Sequence, residues 1–289
     1  MPTPLDSIAT LMRSTEEDLW SFTLLCQNVT DVSPALLSAR VRHAIWTLKL
    51  PSSERSIIQL GSLEEHWYAS VQSGSPDYAI YDTDEYLVEL FACWRVYSRR
   101  YLRDLLATRA LPTGCIYAQL LPVKSVLDLG CGIGFSTAAL TQLFPKAEVI
   151  GTNLPDTKQT AIAKTLGKRY GFDVFGDVPP HKFVDVVFAS EYFEHFQQPI
   201  DHLTEVLDVL NPVGLLVANS FGGRAVGHFN RYEVSGRWVD GKFAARLFND
   251  ELRSRGYVQV QSGFWNNRPS HWKKLPSSND DNTSGFGLR

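Results

Sequence analysis

The spacing of apolar residues along the chain changes near residue 120. Before that point, apolar residues recur every three or four positions, which is typical of amphipathic helices. The stretches Ser-Thr-Glu-Glu at 14–17, Ser33-Pro34 and Asp-Thr-Asp-Glu at 82–85 are residue types that begin helices. We therefore predict a helical region over residues 1–120, in which the longest helix continues to about Leu105.

Beyond residue 121, short apolar runs typical of buried strands alternate with helical spacing. The predicted strands are 125–129, 148–152, 172–175, 183–189, 214–218 and 257–261, and the predicted helices are 135–144, 156–170, 200–210 and 242–255. This alternation predicts a doubly wound, mainly parallel α/β sheet that binds ligands at the carboxyl ends of its strands. A seventh strand is expected either after Trp265 or within 229–239. The sheet domain is predicted over 121–275, followed by a disordered polar tail over 276–289.

Composition limits the classes of function. The chain has 289 residues, of which 44% are hydrophobic and 20% charged, and its formal net charge is −3. This charge argues against duplex nucleic acid as a partner. No apolar run approaches membrane-spanning length, the N-terminus has no apolar signal-peptide core, and the four cysteines show no C-x-x-C spacing. We expect a cytoplasmic protein with free thiols, no membrane partner and an unknown oligomeric state.

The first predicted strand leads into a glycine-rich turn, Asp128-Leu129-Gly130-Cys131-Gly132-Ile133-Gly134. Glycine lets the backbone approach a ligand closely, and the free N–H groups at the start of the next helix favour electron-rich ligand atoms. The spacing G-x-G-x-G differs from the dinucleotide fingerprint G-x-G-x-x-G. The turn therefore disfavours a nicotinamide-dependent oxidoreductase, which stays as an alternative class.

The sequence D-L-G-C-G-I-G resembles the first motif of class I S-adenosylmethionine (SAM) methyltransferases, and the likeness covers roughly residues 122–262. It implies a Rossmann-like sheet with the helical region as a lid. It also implies that Gly130, Cys131, Gly132 and Gly134 pass under the methionine end of SAM. In the same family, the acid before the loop, here Asp128, helps to fix the SAM amino group or its water.

Two later strand ends extend the predicted SAM site. In the resembling family an acid at the end of the second strand accepts both ribose hydroxyls, but this chain has Asn153, followed by Leu154. An Asn amide can still bond a ribose hydroxyl through its one acceptor oxygen, and we expect Asn153 and Leu154 to contact SAM here. A simple turn before Pro155 is the competing interpretation. After the third strand, Asp177 is in the place of an acid that accepts from the adenine amino group, and Val178 would pack on the ring; a polar loop residue is the alternative.

The fourth predicted strand leads into Glu191-Tyr192-Phe193-Glu194-His195. If a helical turn begins here, the two carboxylates and the imidazole share one face. Such groups suit a divalent cation, which would lower the pKa of a bound substrate hydroxyl. His228 follows the fifth strand and is a candidate fourth ligand or base, because strand ends of one sheet face the same crevice.

E-x-x-E-H resembles a motif of certain O-methyltransferases, including ubiquinone-pathway enzymes and small-RNA 3′-terminal ribose methyltransferases. The likeness implies a Mg²⁺ or Mn²⁺ site formed by Glu191, Glu194, His195 and His228, with Glu191, His195 and His228 as catalytic residues. Many metal-free methyltransferases also carry a Glu-His pair here, so His195 as a metal-free base and a purely structural role remain alternatives.

The resemblance implies a methyl acceptor held between the lid and the strand ends. We predict methyl transfer to an oxygen of a small molecule or of a nucleic-acid terminus. Tyr81, which precedes the longest lid helix, is a candidate SAM contact because lid aromatics often close over SAM in this family. A metal-free N- or C-methyltransferase and a catalytically inactive partner subunit, the latter suggested by Asn153, are the alternatives.

Overall fold

The computed structural model of this chain describes residues 15–50, 63–102, 123–178, 184–260 and 268–275. The predicted domain boundary near residue 120 and the predicted disordered tail at 276–289 lie outside these residues. Among the described helices, none is both long and apolar enough to cross a membrane.

The N-terminal part is helical, as the spacing of apolar residues predicts. Its elements are α1 (Thr15–Cys26), α2 (Pro34–Leu48), α3 (Leu63–Gln72), a 3₁₀ turn (Tyr78–Asp82) and α4 (Asp84–Cys93). We call these described residues, 15–50 and 63–102, the helical lid. Ser33 and Thr83 are N-caps, and each side chain accepts a hydrogen bond from a backbone N–H of the first turn.

The longest lid helix is not the uniform α-helix that its apolar stripe predicts. After α4 the chain makes a π-helical turn over Trp94–Ser98 and then returns to α-helix at residues 99–102. Such turns place an extra residue in the helix and often border functional sites. Here Trp94 and Ser98 both border the cavity described below, and Ser98 Oγ lies 3.1 Å from Ser190 Oγ.

A seven-stranded sheet forms the second part. Its strands are β1 (Ser125–Leu129), β2 (Glu148–Thr152), β3 (Asp173–Phe175), β4 (Val186–Ser190), β5 (Gly214–Ala218), β8 (Tyr257–Val260) and β9 (Ser270–Lys274). The order across the sheet is β3-β2-β1-β4-β5-β9-β8. The first five are parallel, and β9 is antiparallel to both neighbours. The predicted doubly wound, mainly parallel sheet is confirmed.

The seventh strand of the sheet is β9, which follows Trp265 as in the first of the two predicted alternatives. The other alternative, a strand within 229–239, is wrong. That segment forms a separate hairpin of β6 (Arg231–Val234) and β7 (Arg237–Asp240). Ser235 and Gly236 both have positive φ, the geometry of a tight two-residue hairpin turn, so these strands pair with each other.

Helices cover both faces of the sheet. They are α5 (Phe135–Leu143), α6 (Lys158–Tyr170), α7 (Pro199–Leu210) and α8 (Gly241–Ser254). Successive strand residues point to opposite faces, so Val126 packs in one apolar cluster with α5, α6 and lid helices, whereas Leu127 packs in another with α7 and α8. This two-sided burial explains why the parallel strands are continuous apolar runs.

The lid is attached near the carboxyl ends of the strands. Lys158, the first residue of α6, donates its backbone N–H to Asp82 over 2.6 Å and its ammonium group to Asp84 over 2.7 Å. On the apolar side, Phe91 of α4 packs edge-on against Phe135, the first residue of α5, at 5.5 Å between ring centroids. The two parts therefore enclose the space above the strand ends.

Candidate active site

A cavity of about 930 Å³ lies between the helical lid and the strand ends. Both predicted regions border it: the glycine loop, defined as residues 130–134, and the segment around Glu191. The lid contributes mainly aromatic and apolar side chains to its wall: Tyr78, Tyr81, Tyr86, Leu90, Trp94 and Tyr97. A cavity of this size holds a drug-sized ligand, since such sites usually measure about 300 to 1,000 Å³.

The glycine loop needs glycine for two different reasons. Gly130, Gly132 and Gly134 all have positive φ, which side chains other than glycine rarely adopt. A Cβ on Gly130 would also lie 2.3 Å from the ring of Tyr192, and one on Gly134 would lie 3.0 Å from the Cα of Ala163. Close packing therefore fixes the loop at the N-terminus of α5, where its backbone borders the cavity.

Asp128 is fully buried at the end of β1. One of its carboxylate oxygens, Oδ2, accepts hydrogen bonds from the hydroxyls of Ser136 (2.6 Å) and Thr137 (2.7 Å) in the first turn of α5. Burial raises the pKa of this carboxyl to about 7, although the two hydroxyl donors lower it. Asp128 thus holds the start of α5 against β1, and it also borders the cavity as predicted.

Asn153 lies at the end of β2, where the ribose-binding acid was expected, but its side chain is used within the protein. Its Nδ2 donates to the backbone carbonyl of Gly132 over 2.6 Å, and its Oδ1 accepts the N–H of Leu154 over 2.9 Å. A carboxylate could not make the first of these bonds because it has no donor. Asn153 therefore clamps the glycine loop to β2.

The remaining predicted SAM contacts lie along the same edge. Leu154, Asp177 and Val178 border the cavity, and Leu154 and Asp177 are exposed. Cys131 is buried behind the loop, and a Cβ on Gly151 of β2 would lie 2.8 Å from its Sγ, so the thiol fills space between β1 and β2. All the residues of the predicted SAM site except Gly134 thus border one cavity.

Three of the four predicted metal ligands lie close together, and two of them, Glu191 and His228, border the cavity. One ligand atom from each of Glu191, Glu194 and His228 can be chosen so that all three lie within 4.8 Å of one another. We call these residues the Glu–Glu–His cluster. Glu194 is fully buried: its Oε1 accepts the N–H of Ser220 over 2.5 Å, while its Oε2 has no hydrogen-bond partner among the described residues. Burial and the nearby Glu191 carboxylate raise the pKa of Glu194 well above its ordinary value.

His228 has a defined proton position. Its Nδ1 lies 2.9 Å from the backbone carbonyl of Gly223, which can only accept, so Nδ1 carries the proton and Nε2 is left with a lone pair. Burial lowers the pKa of His228 and keeps the ring neutral. This is the arrangement in which an imidazole binds a cation or accepts a proton.

His195 is not part of the cluster. Glu191 has a positive φ of 51°, and only Phe193–His195 form a 3₁₀ turn, so the motif does not present the single helical face that its spacing suggests. His195 instead places Nδ1 3.0 Å from the hydroxyl of Tyr81, and its ring packs edge-on against His228 at 4.9 Å between centroids. Burial and His228 lower the pKa of His195 well below its ordinary value.

Three residues of the site escaped sequence reasoning. Tyr192 packs on Gly130 and bonds His202 at 2.9 Å. Trp67 donates its indole N–H to the backbone carbonyl of His228, at 2.7 Å. Arg268 bonds Ser220 and Asn219 and lies 3.9 Å from Glu191. Of these three, only Tyr192 could have been found from the sequence, because it lies inside the E-x-x-E-H motif.

Comparison with known proteins finds a family model that matches the central part of the sheet. Residues 127–218, from β1 through β5, match the family model described as a methyltransferase domain. These strands carry the glycine loop, Asn153 and the Glu191–His195 segment. Over these residues the chain resembles a class I SAM-dependent methyltransferase domain.

Curated relatives align with this methyltransferase domain over part of their length. The chain is 26% identical over 169 residues to malonyl-[acyl-carrier protein] O-methyltransferase of Halalkalibacterium halodurans, covering 48% of this chain and 62% of the relative. It is 33% identical over 112 residues to trans-aconitate 2-methyltransferase of Sinorhizobium fredii, covering 37% and 43%. The chain therefore spans less than two thirds of the length of these relatives.

Solved methyltransferase structures are similar to this chain at low identity. The plantazolicin methyltransferase BpumL, in complex with a monoazolic desmethylPZN analog and SAH, is 18% identical with a TM-score of 0.40, covering 64% of this chain and 62% of that chain. An O-methyltransferase family protein from Burkholderia thailandensis is 13% identical with a TM-score of 0.45, covering 66% and 60%.

Proposed function

We propose that this chain is a SAM-dependent methyltransferase that acts on an oxygen of a small molecule or of a nucleic-acid terminus. One observation carries the proposal. A single cavity is bordered by the glycine loop and by Glu191 and His228 of the Glu–Glu–His cluster. A methyl donor and a hydroxyl acceptor would thereby be held side by side, as in-line transfer requires. One of the curated relatives is named an O-methyltransferase, which supports the choice of oxygen.

The residues present fit SAM. The glycine loop offers backbone beside the cavity at the start of α5, and Asp128 is the acid at its entry. Asp177 and Val178 border the end where adenine would lie. Asn153 holds the loop and has an oxygen with one further lone pair for a ribose hydroxyl.

The Glu–Glu–His cluster also fits a divalent cation. The buried Oε2 of Glu194 lacks a partner, and Nε2 of His228 carries a lone pair because Nδ1 bonds a carbonyl. Two carboxylates and an imidazole suit Mg²⁺ or Mn²⁺. Glu191, Glu194 and His228 would hold the ion, which would supply Lewis-acid activation of an acceptor hydroxyl.

The chain's own residues account for the rest of the reaction. When no cation is bound, the acceptor O–H loses its proton to Nε2 of His228, the oxygen forms a bond to the methyl carbon, and the methyl–sulfur bond breaks to leave S-adenosylhomocysteine (SAH). We assign the base role to His228 and not to His195, because the tautomer of His228 is set by a carbonyl. The aromatic and apolar lid side chains that line the cavity would align and desolvate the acceptor.

Calorimetry with SAH tests the cofactor, and calorimetry with Mn²⁺ alone tests the cation. We expect SAH to bind wild-type protein, and Mn²⁺ affinity to fall at least tenfold in H228N and E194Q. Asn can keep the bond to Gly223 and Gln can keep the bond from Ser220, so both variants remove a ligand and little else. H66N is the matched control, because His66 is exposed and pairs with Asp77. If wild-type protein fails to bind Mn²⁺, the reaction proceeds without metal and His228 is the base.

A second candidate function is a non-catalytic methyltransferase-like partner subunit. It is favoured by Asn153, which is in the place of the ribose-binding acid of the resembling family. Its amide nitrogen bonds the glycine loop and its amide oxygen bonds Leu154. Absence of SAH binding at millimolar concentration would support this candidate and refute the enzyme.

A further inference from the structure

A hydrogen bond crosses the boundary between the helical lid and the methyltransferase domain at the acceptor end of the cavity. The hydroxyl of Tyr81 lies 3.0 Å from Nδ1 of His195, 114 positions along the chain. Tyr81 belongs to the 3₁₀ turn that precedes α4 and is only 7% exposed. The bond connects a lid residue to the turn Phe193–His195, which carries Glu194 of the cluster.

The Tyr81 ring is held by its neighbours. It packs edge-on against Tyr86 at 4.9 Å and lies 6.3 Å from Trp67 between ring centroids. Its backbone carbonyl accepts from the side chain of Gln159 over 3.4 Å, and the next residue, Asp82, accepts the N–H of Lys158. The start of α6 therefore fixes the turn, and the hydroxyl has a defined position.

Gly227 shows how closely this pair is packed. Its φ is +84°, and a Cβ there would lie 2.3 Å from Nδ1 of His195 and 2.4 Å from the Tyr81 hydroxyl. The backbone one residue before His228 thus covers the hydrogen bond. Trp67 holds the same segment by donating to the carbonyl of His228. The lid therefore contacts the imidazole of His195 through Tyr81 and the backbone of His228 through Trp67.

The direction of the bond follows from its chemistry. Burial raises the pKa of Tyr81 above its ordinary value, so the group stays a phenol. Among the described residues, His195 is the one hydrogen-bond partner that the hydroxyl reaches. A phenol donates more readily than it accepts, so Nδ1 of His195 is the acceptor and the neutral ring carries its proton on Nε2. His228 has the opposite tautomer.

We propose that Tyr81 is a positioning residue: its hydroxyl sets the tautomer and orientation of the His195 ring. His195 also interacts with the backbone of Glu191, so the tyrosine is connected through the imidazole to the main chain of a cluster residue. The lid is then part of the acceptor end of the site and not only its cover. This inference rests on the proposed function, because it assigns a role within the same cavity.

The test is NMR of the imidazole nitrogens in full-length protein labelled with ¹⁵N-histidine, at neutral pH. His195 is assigned by comparison with H195N. In wild-type protein we expect His195 with an unprotonated Nδ1 and His228 with a protonated Nδ1. In Y81F we expect the chemical shift of His195 Nδ1 to move toward the value for a mixture of the two neutral tautomers. The chemical shifts of His228 should not change. Y257F is the matched control. Tyr257 is buried, and the substitution removes one hydrogen bond from its hydroxyl to the carbonyl of Pro212, away from the cavity.

SAH calorimetry on the same three proteins separates the two proposals. Affinities within twofold of wild type show that the cofactor end is intact, so a change at His195 is local. Identical His195 resonances in Y81F and wild type, or a proton on Nδ1 in wild type, would overturn the role of Tyr81. The wild-type spectrum decides this even if Y81F does not fold. Absence of SAH binding in wild type would overturn the proposed function and leave the tautomer result as it stands.

Discussion

Single glycines set the shape of the cofactor end of the cavity. Gly130 combines a positive φ with close packing, because a Cβ there would lie 2.3 Å from the Tyr192 ring. We expect Gly130→Ala to displace Tyr192 or the loop and to weaken SAH binding at least tenfold by calorimetry. Gly236→Ala is the control, since Gly236 also has positive φ but a Cβ there meets nothing within 4 Å. Equal effects of both variants on SAH affinity would contradict the importance of the Tyr192 contact.

Asp128 makes stability depend on pH. Its pKa in the folded protein is about 7, against an ordinary value of 3.8. Between these values the native state holds a proton that the unfolded chain releases, so stability decreases as pH rises from about 4 to about 7. The slope is at most about 1.4 kcal/mol per pH unit. Asp128→Asn should remove this part of the dependence of Tm on pH in ligand-free protein. Asp173→Asn, at an exposed carboxyl, should leave it in place, and an unchanged slope in Asp128→Asn would refute the assignment.

A substitution at Asn153 tests whether its side chain holds the glycine loop or accepts a hydrogen bond from the ribose. In wild-type protein, Nδ2 of Asn153 donates to the carbonyl of Gly132 over 2.6 Å. Asn153→Asp replaces this donor with a carboxylate oxygen, which the carbonyl repels. We expect SAH affinity to fall about tenfold, which corresponds to the ~1.4 kcal/mol of one lost hydrogen bond. Asn28→Asp, at an exposed position, controls for the added charge. Tighter SAH binding in Asn153→Asp would mean that accepting from ribose outweighs the clamp.

At the scale of elements, the contact between α4 and α5 connects the lid core to the glycine loop. Phe91 is fully buried, stacks on Phe22 at 4.4 Å and meets Phe135 immediately after Gly134. Phe91→Ala should cost about 3–5 kcal/mol in the free energy of unfolding and also lower SAH affinity. Both are measurable by urea unfolding and calorimetry.

The control for Phe91→Ala is a second large-to-small substitution that lowers the free energy of unfolding by a similar amount but lies away from the glycine loop. Leu252 of α8 is fully buried on the other face of the sheet, and Leu252→Ala should cost about 2–5 kcal/mol without changing SAH affinity. If folded Phe91→Ala binds SAH as tightly as wild type, the lid core and the glycine loop are independent.

At the scale of the whole molecule, the cavity is shared between the lid and the sheet domain. A ligand that fills it contacts β1, β2, β4 and the lid together, so binding should stabilise both parts. SAH at a hundred times its Kd should add about 2.7 kcal/mol to the free energy of unfolding. NAD⁺ at the same concentration should add nothing measurable. Stabilisation by NAD⁺ and not by SAH would favour the oxidoreductase alternative.

Most of the fold could be predicted because its signals are local. Apolar runs marked β1 and β2, and Ser33 and Thr83 marked helix starts through hydrogen bonds within one turn. By contrast, β9 reads Ser-His-Trp-Lys-Lys and has no apolar run. It becomes a strand because β5 and β8 offer unpaired edges on both sides.

The site was predictable to the extent that topology decides it. Strand ends of a parallel sheet meet at one edge, so the sequence by itself determined that the glycine loop, Glu191 and His228 would share a crevice. Only the tertiary structure decided that His195 bonds Tyr81 and lies outside the Glu–Glu–His cluster, and that Asn153 bonds the glycine loop. The physical reason is that hydrogen-bond partners of buried polar groups are chosen among atoms brought together from distant parts of the chain, and no local pattern of residues encodes that choice.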